Sequence, residues 1–402
     1  VVLSDRVPSD AAPNPWARRL AEMRAAGREL IDLTDANPTR TGLSLLGEPE
    51  GRALETAHRA ALQAAYEPDP RGLRSARVAV AGYYAARGVA VDPAHLVLTT
   101  GTSESYAHLF RLLANPGDTV LAPAPSYPLF EPLAALEGVR LASYALAWDG
   151  CWHLELDSLE RGLAAGARAV VLVEPNHPTG TCLEDREREA LENLCARYGA
   201  AIIVDEVFGD FAWGAGDREA TARAGVGFPS WAGERGPRRF VLSGLSKICG
   251  LPQMKLGWIL AGGPPADRDR ALASLEWIAD LFLSVPSAVQ VALPALLETR
   301  RAFQARTLDR IAANRARLAV LASRRPELSV LGADGGWVAC VRLPSRRSEE
   351  EWALALLECG VIVHPGHFYD FAFGPIVVLS LITTSQAFEQ GLERLDGLLA
   401  EP

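Results

Sequence analysis

The chain has 402 residues, a formal net charge of −9 and a hydrophobic fraction of 49%. At roughly 150 residues per domain that length fits two or three domains, or one large domain with a satellite, and the apolar content excludes disorder as the main state. No apolar run approaches the ~18 residues of a membrane span, and the opening VVLSDRVPSDAAPNPW has no apolar signal region. The acidic balance, with only short Arg pairs, argues against nucleic acid. Six cysteines without a CxxC spacing read as reduced core or loop residues of a cytoplasmic protein, and without HExxH or a Cys/His cluster no metal is expected.

In chain order, His95 to Thr100 reads as a strand running into a helix from about Ser103. Ala169 to Val173 is a continuous apolar strand, succeeded by a turn and a helix with Leu191, Leu194, Cys195 and Tyr198 on one face. Ala201–Val204, Arg239–Leu242 and Leu256–Leu260 are further strands. Strands buried on both faces and separated by helices predict an α/β fold, a mostly parallel sheet with helices on each side. A helical region from about Ala266 to Ser323, kinked at Pro286 and Pro294, leads to an α+β pattern: strands at 337–341, near Val361 and near Val377, and a helix over 349–358. The expected division is a large domain over 31–284 and a small one built from 1–30 and 285–402.

Ligands of parallel sheets bind beyond the carboxyl ends of the strands, so the residues just past each strand are the candidates for chemistry. Gly101-Thr102-Ser103-Glu104, at a helix start, reads either as an ordinary helix cap or as an anion cradle suited to phosphate. Glu174-Pro175-Asn176-His177-Pro178-Thr179-Gly180 is a rigid turn carrying amide and imidazole groups. Asp205, after four apolar residues, is costly to bury without a partner. Lys247, after Ser243-Gly244-Leu245-Ser246, is either a surface residue or an amine held for Schiff-base chemistry, and Lys255 could bring charge to the same anion. A phosphate cradle, a buried acid and a nucleophilic amine together fit pyridoxal 5'-phosphate.

Tyr66 with Gly72, GTSE at Gly101, PSYPLF at Pro125, NHPTG at Asn176, DEVF at Asp205 and SGLSK through LPQMKLGW succeed one another in an order that resembles the fold-type-I pyridoxal-phosphate enzymes of the class I/II aminotransferase branch, from about Asp32 to Ser380. The resemblance implies the fold-type-I architecture, with a mostly parallel central sheet and a smaller α+β domain. It implies that Lys247 forms the Schiff base and moves the α-proton, and that Asp205 pairs with the ring nitrogen. It further implies that Tyr127 stacks on the ring, that Thr102, Ser103 and Lys255 hold the phosphate, and that Tyr66 reaches the phosphate of a second subunit in a homodimer with shared sites.

The family pattern is broken at five places. His177 replaces an Asn and Phe208 a Tyr, both donors to the ring oxygen; Phe208 cannot donate, whereas His177 can in the right tautomer. Lys255 replaces an Arg. Gly244 replaces a Ser, for which Ser243 or Ser246 could substitute. Val378 stands where an Arg clamps the substrate carboxylate, and Arg40, in the loop from Asn37 to Gly42, is the candidate replacement, with Asn37 beside it. The expected activity is transamination between an amino acid and a 2-oxo acid. A pyridoxal-phosphate lyase or carbon–carbon bond-forming enzyme is the alternative, and a non-catalytic sensor a distant one.

Overall fold

The computed structural model describes residues 4, 6–7, 13–44, 48–63, 65–213, 229–233 and 236–401, with the side chains of 48–50 left aside. The first strand, β1 (Ile31–Asp32), pairs in parallel with a late one. The next eight are β2 (Leu96–Thr99), β3 (Thr119–Ala124), β4 (Arg140–Trp148), β5 (Trp152–Leu154), β6 (Ala169–Val173), β7 (Ala201–Asp205), β8 (Arg239–Gly244) and β9 (Gly257–Gly262). They form one sheet in the order β2-β9-β8-β7-β6-β3-β4-β5, in which β4, β3, β6, β7 and β8 are parallel neighbours and β9 runs antiparallel between β2 and β8. This is the predicted mostly parallel α/β sheet. The carboxyl ends of β2, β6, β7 and β8 therefore share one edge, and Thr99, Val173, Asp205 and Gly244 stand along it.

The strands form where the sequence offers uninterrupted apolar runs. AVVLV in β6 and AIIVD in β7 are buried at every position, because helices cover both faces of the sheet. The helix Asp185–Tyr198 between them starts in a capping box of Glu184 and Glu187 and ends at Gly199, whose φ of 69° is the left-handed C-cap that glycine adopts without strain. Leu191 and Cys195 face the core, and Tyr198 is exposed.

The predicted long helix over 266–323 is instead three: Pro265–Asp280, Ser287–Glu298 and Arg300–Arg324. Leu283 takes a positive φ of 45°, and Pro286 disfavours helix at Val285 before it. Pro286 thus ends an interruption rather than kinking a helix, while Pro294 lies inside the second helix.

A second sheet, ordered β10-β11-β14-β13, comprises β10 (Ser329–Val330), β11 (Val338–Arg342), β13 (His364–Pro365) and β14 (Ile376–Ser380), and β12 (Val361–Ile362) is the partner of β1. Its residues alternate between two cores. Val338, Cys340, Ile376 and Val378 join the core of the large sheet, whereas Ala339, Val341, Val377 and Leu379 join a second core with Trp352 and Phe388. Ile31 and Leu33, which the sequence reading places in the large domain, pack in this second core. The helix Ser287–Glu298, placed in the small domain, packs its Leu293 and Leu296 in the first.

Three backbones meet without side chains at the site edge. A Cβ on Gly257 would lie 2.9 Å from Gly101 Cα and 3.0 Å from the Ser243 carbonyl oxygen, and one on Gly244 would lie 2.9 Å from Gly257 Cα. The missing side chain at Gly244 is therefore a packing requirement. Gly257→Ala is expected to lower stability by about 1–3 kcal/mol, the usual cost of overpacking against atoms that cannot yield, measured by urea unfolding. A change below about 0.5 kcal/mol, typical of a surface position, would contradict this contact.

Candidate active site

Lys247 lies in the one-turn helix Leu245–Ile248 just after β8. Its Nζ is 4.9 Å from the centre of the Trp337 ring and 5.7 Å from that of Phe208. Burial lowers its pKa to about 8, and the nearby Asp205 charge only partly opposes that shift. Asp205, the last residue of β7, is buried. Its Oδ1 accepts the Val207 N–H at 3.0 Å and its Oδ2 the Tyr106 hydroxyl at 3.1 Å. Burial pushes its carboxyl up to about 6 despite those two donors. Amine and acid are thus displaced toward each other, the behaviour of groups tuned by burial at functional sites.

One wall is aromatic. His177 stacks on Phe208 at 5.8 Å and 23°, and meets the edges of Tyr127 at 5.9 Å and Tyr369 at 5.5 Å. Burial, with the Lys247 charge second, lowers His177 to about 3, so its imidazole is neutral at pH 7 and has one donor nitrogen. Phe208, where the family pattern has a hydroxyl, supplies a stacking face. Tyr127 is 40% exposed and also touches Phe130, edge to face. Trp337, just before β11, is buried between Phe208 and Phe211 and faces Lys247.

A second part of the edge is built for an anion. Gly101, with φ 153°, precedes the helix Thr102–Leu113, so Thr102 and Ser103 occupy its first turn, where backbone N–H groups lack intrahelical partners. The cap is the glycine, not a Thr or Ser hydroxyl. Glu104 fixes the turn by accepting the Thr100 N–H at 2.7 Å and the Ser284 hydroxyl at 2.8 Å. A Cβ on Gly101 would have Lys255 Nζ as its neighbour at 3.9 Å, so the ammonium is brought to the helix start. Ser246 is half-buried in the turn carrying Lys247, and the Ser243 hydroxyl is buried without a hydrogen-bond partner among the described residues, as is Asn176 Oδ1. These features fit a phosphorylated, aromatic, amine-reactive cofactor: a cradle with no side chain at its centre, a cation beside it, an aromatic wall and unpaired polar atoms.

Tyr66 stands apart, 76% exposed, lining a cavity with Gly72, Leu283 and Ser284. Arg40 is exposed and held by Asp35, and Asn37 accepts the Thr39 N–H and hydroxyl. The sequence reading missed Tyr106, four residues after Thr102 and so on the same helix face, where it meets Asp205. It also passed over a compositional signal: 247 and 255 are the only lysines in the chain, all other cations being Arg.

With Asp205 held up to about 6, the folded cofactor-free protein binds that proton more tightly than the unfolded chain does. The stabilisation is fully present below about pH 4 and is lost as pH rises through about 6. Asp205→Asn is therefore expected to be more stable than the parent at pH 8, by on the order of 2 kcal/mol, with the difference closing toward pH 4. Urea unfolding across that range checks it, and a pH-independent difference would contradict it.

The model of the aminotransferase class I and II family matches residues 49–387. Human tyrosine aminotransferase is 28% identical over 262 residues, 63% of this chain and 55% of that protein. Glutamate-pyruvate aminotransferase AlaA of Escherichia coli K12 is 25% identical over 282 residues, 69% of this chain and 66% of that one. The match thus spans from about half to two thirds of these relatives' lengths. Among solved structures, alanine aminotransferase from Pyrococcus furiosus superposes with a TM-score of 0.88 at 19% identity, each chain being covered completely, which shows the shared fold. Members of the matched family use pyridoxal 5'-phosphate, and with that model covering most of its length this chain belongs to the class I and II aminotransferases.

Proposed function

We propose that the protein is a pyridoxal-phosphate-dependent transaminase that moves an amino group between an amino acid and a 2-oxo acid. The observation that carries this reading is the placement of the buried Asp205 as the last residue of β7 and of Lys247 in the turn just after its parallel neighbour β8, at one sheet edge. Pyridoxal phosphate, when bound, supplies a carbonyl carbon for amines and a ring that takes up an electron pair. At neutral pH a useful fraction of Lys247 is unprotonated, so its Nζ can attack a carbonyl and later carry a proton at the substrate's α-carbon. Asp205, oriented by Tyr106 and the Val207 N–H, holds a proton on a basic ring nitrogen, whose positive charge in turn favours the ionised carboxylate.

Tyr127 and the neutral His177 would bound the ring, and His177 would be the donor to its oxygen where Phe208 has none. The first turn at Thr102 and Ser103, Lys255 and the hydroxyls of Ser243 and Ser246 take the phosphate. Tyr66 is exposed and lines a cavity with Leu283 and Ser284, and Leu281 and Phe282, just before them in the chain, are also exposed, which supports a homodimer in which Tyr66 reaches the neighbouring site. No helix among the described residues is long and apolar enough to cross a membrane, and the free cysteines support a cytoplasmic setting.

The test is a single half-reaction. Protein loaded with the cofactor and given one amino donor without acceptor should release about one 2-oxo acid per site and no ammonia, because the amino group stays on the cofactor. Continued release of ammonia would favour the lyase alternative instead.

A further inference from the structure

The wall that the second sheet turns toward the site is uncharged. Cys340 and His364 are the direct cross-strand partners of Val378, so the three side chains share one face. That face meets the turn at His177: Cys340 Sγ donates to the Pro178 carbonyl at 3.3 Å, and Tyr369, edge-on to His177, pairs its hydroxyl with His364 Nδ1 at 2.8 Å. Burial lowers the pKa of His364, with the Asp32 charge opposing it. Among the described residues, the groups whose charge acts on Lys247, His177, Tyr127 and His364 are Asp205, Lys247, His364 and Asp32, with no arginine among them. A substrate carboxylate beside Val378 would be desolvated without a counter-charge, an arrangement that proteins avoid.

A cation is available from the loop laid across the end of β14. Ser380, two residues beyond Val378, donates its N–H to Leu33 O at 2.6 Å and its hydroxyl to Asp35 O at 2.9 Å. Successive side-chain turns then fix the backbone: Asp32 Oδ1 accepts Thr34 N–H, Asp35 Oδ1 accepts Asn37 N–H, and Asn37 Oδ1 accepts Thr39 N–H, at 2.8–3.0 Å. From this anchored loop the Arg40 side chain projects 66% exposed, gripped by Asp35 through Nε and Nη2 at 2.9–3.3 Å. Asp35, which grips Arg40, is itself tied through its carbonyl to the Ser380 hydroxyl, so the loop cation is anchored to the end of the strand that carries Val378. An ion pair this exposed contributes little to stability, so exchanging one carboxylate for another on the guanidinium fork is nearly balanced.

We infer that Arg40 is the carboxylate clamp for an α-amino acid substrate and that Asp35 is its resting partner, displaced when the substrate's carboxylate takes the guanidinium beside Val378. Asp35 is thereby a competitor built into the site. The inference rests on the transamination reading and adds the group that selects the substrate class.

The test titrates the absorption band of the cofactor-loaded protein with phenylalanine and 2-phenylethylamine, and with leucine and 3-methylbutylamine, pairs that differ only in the carboxylate. Arg40→Ala should raise the half-saturating amino acid concentration at least about ten-fold, with Arg40→Lys between it and the parent, because the bidentate fork is lost. Asp35→Asn keeps the acceptor for Asn37 N–H but removes the competing charge, and should lower that concentration by about three- to ten-fold. The double variant should behave as Arg40→Ala alone, since the two side chains act as a unit, and the amines should respond alike in all five proteins. The inference is overturned if Asp35→Asn leaves amino acid binding unchanged or weakens it, if Arg40→Ala has no effect, or if the parent responds at lower concentrations to the amines. A parent protein that takes up no cofactor and shows no band overturns the transamination reading itself, an outcome distinct from these.

Discussion

The structure is organised around one ammonium and one carboxylate removed from water together. Lys247 is lowered to about 8 and Asp205 raised to about 6 by the same cause, burial, and each moderates the shift of the other. Neither group would be stable there alone, since an isolated charge in a low-dielectric site neutralises itself. The sheet solves this by ending β7 and β8 side by side, so that the acid is the last residue of one strand and the amine lies in the turn after the next. Tyr106 and the Val207 N–H orient the acid, while the rings of Phe208 and Trp337 lie beside the amine.

That arrangement needs backbones to approach more closely than side chains allow. Gly101, Gly244 and Gly257 remove the Cβ atoms where the ends of β2 and β8 meet the start of β9. The same closeness brings Lys255 to the first turn of Thr102–Leu113 and leaves that turn's N–H groups open to an anion. The second sheet completes the enclosure from the opposite side. Its alternation sends Cys340 and Val378 toward the site and Val341 and Leu379 into its own core, so a single strand serves both.

Much of this was legible in the residues. Continuous apolar runs marked β6 and β7, and their burial on both faces implied the parallel sheet; Asp205 and Lys247 were conspicuous because both come directly after such runs. The breaks among the three later helices were not legible, because apolar periodicity continues through them and only Leu283 and Pro286 register the turn. Gly244 read as a lost hydroxyl, whereas the tertiary contact with Gly257 explains it. Tyr106 and Trp337 carried no local signal, being ordinary aromatics until the fold aims them. Arg40 could be nominated from the loop, but its engagement by Asp35 depends on side-chain geometry that spacing does not encode.

Only two lysines occur among 40 cationic side chains, which makes the central claim open to one direct measurement. Protein incubated with pyridoxal phosphate is reduced with borohydride, digested and mapped by mass. The account predicts a single stable adduct on the peptide bearing Lys247. An adduct on Lys255 in its place, or none on either, would contradict it.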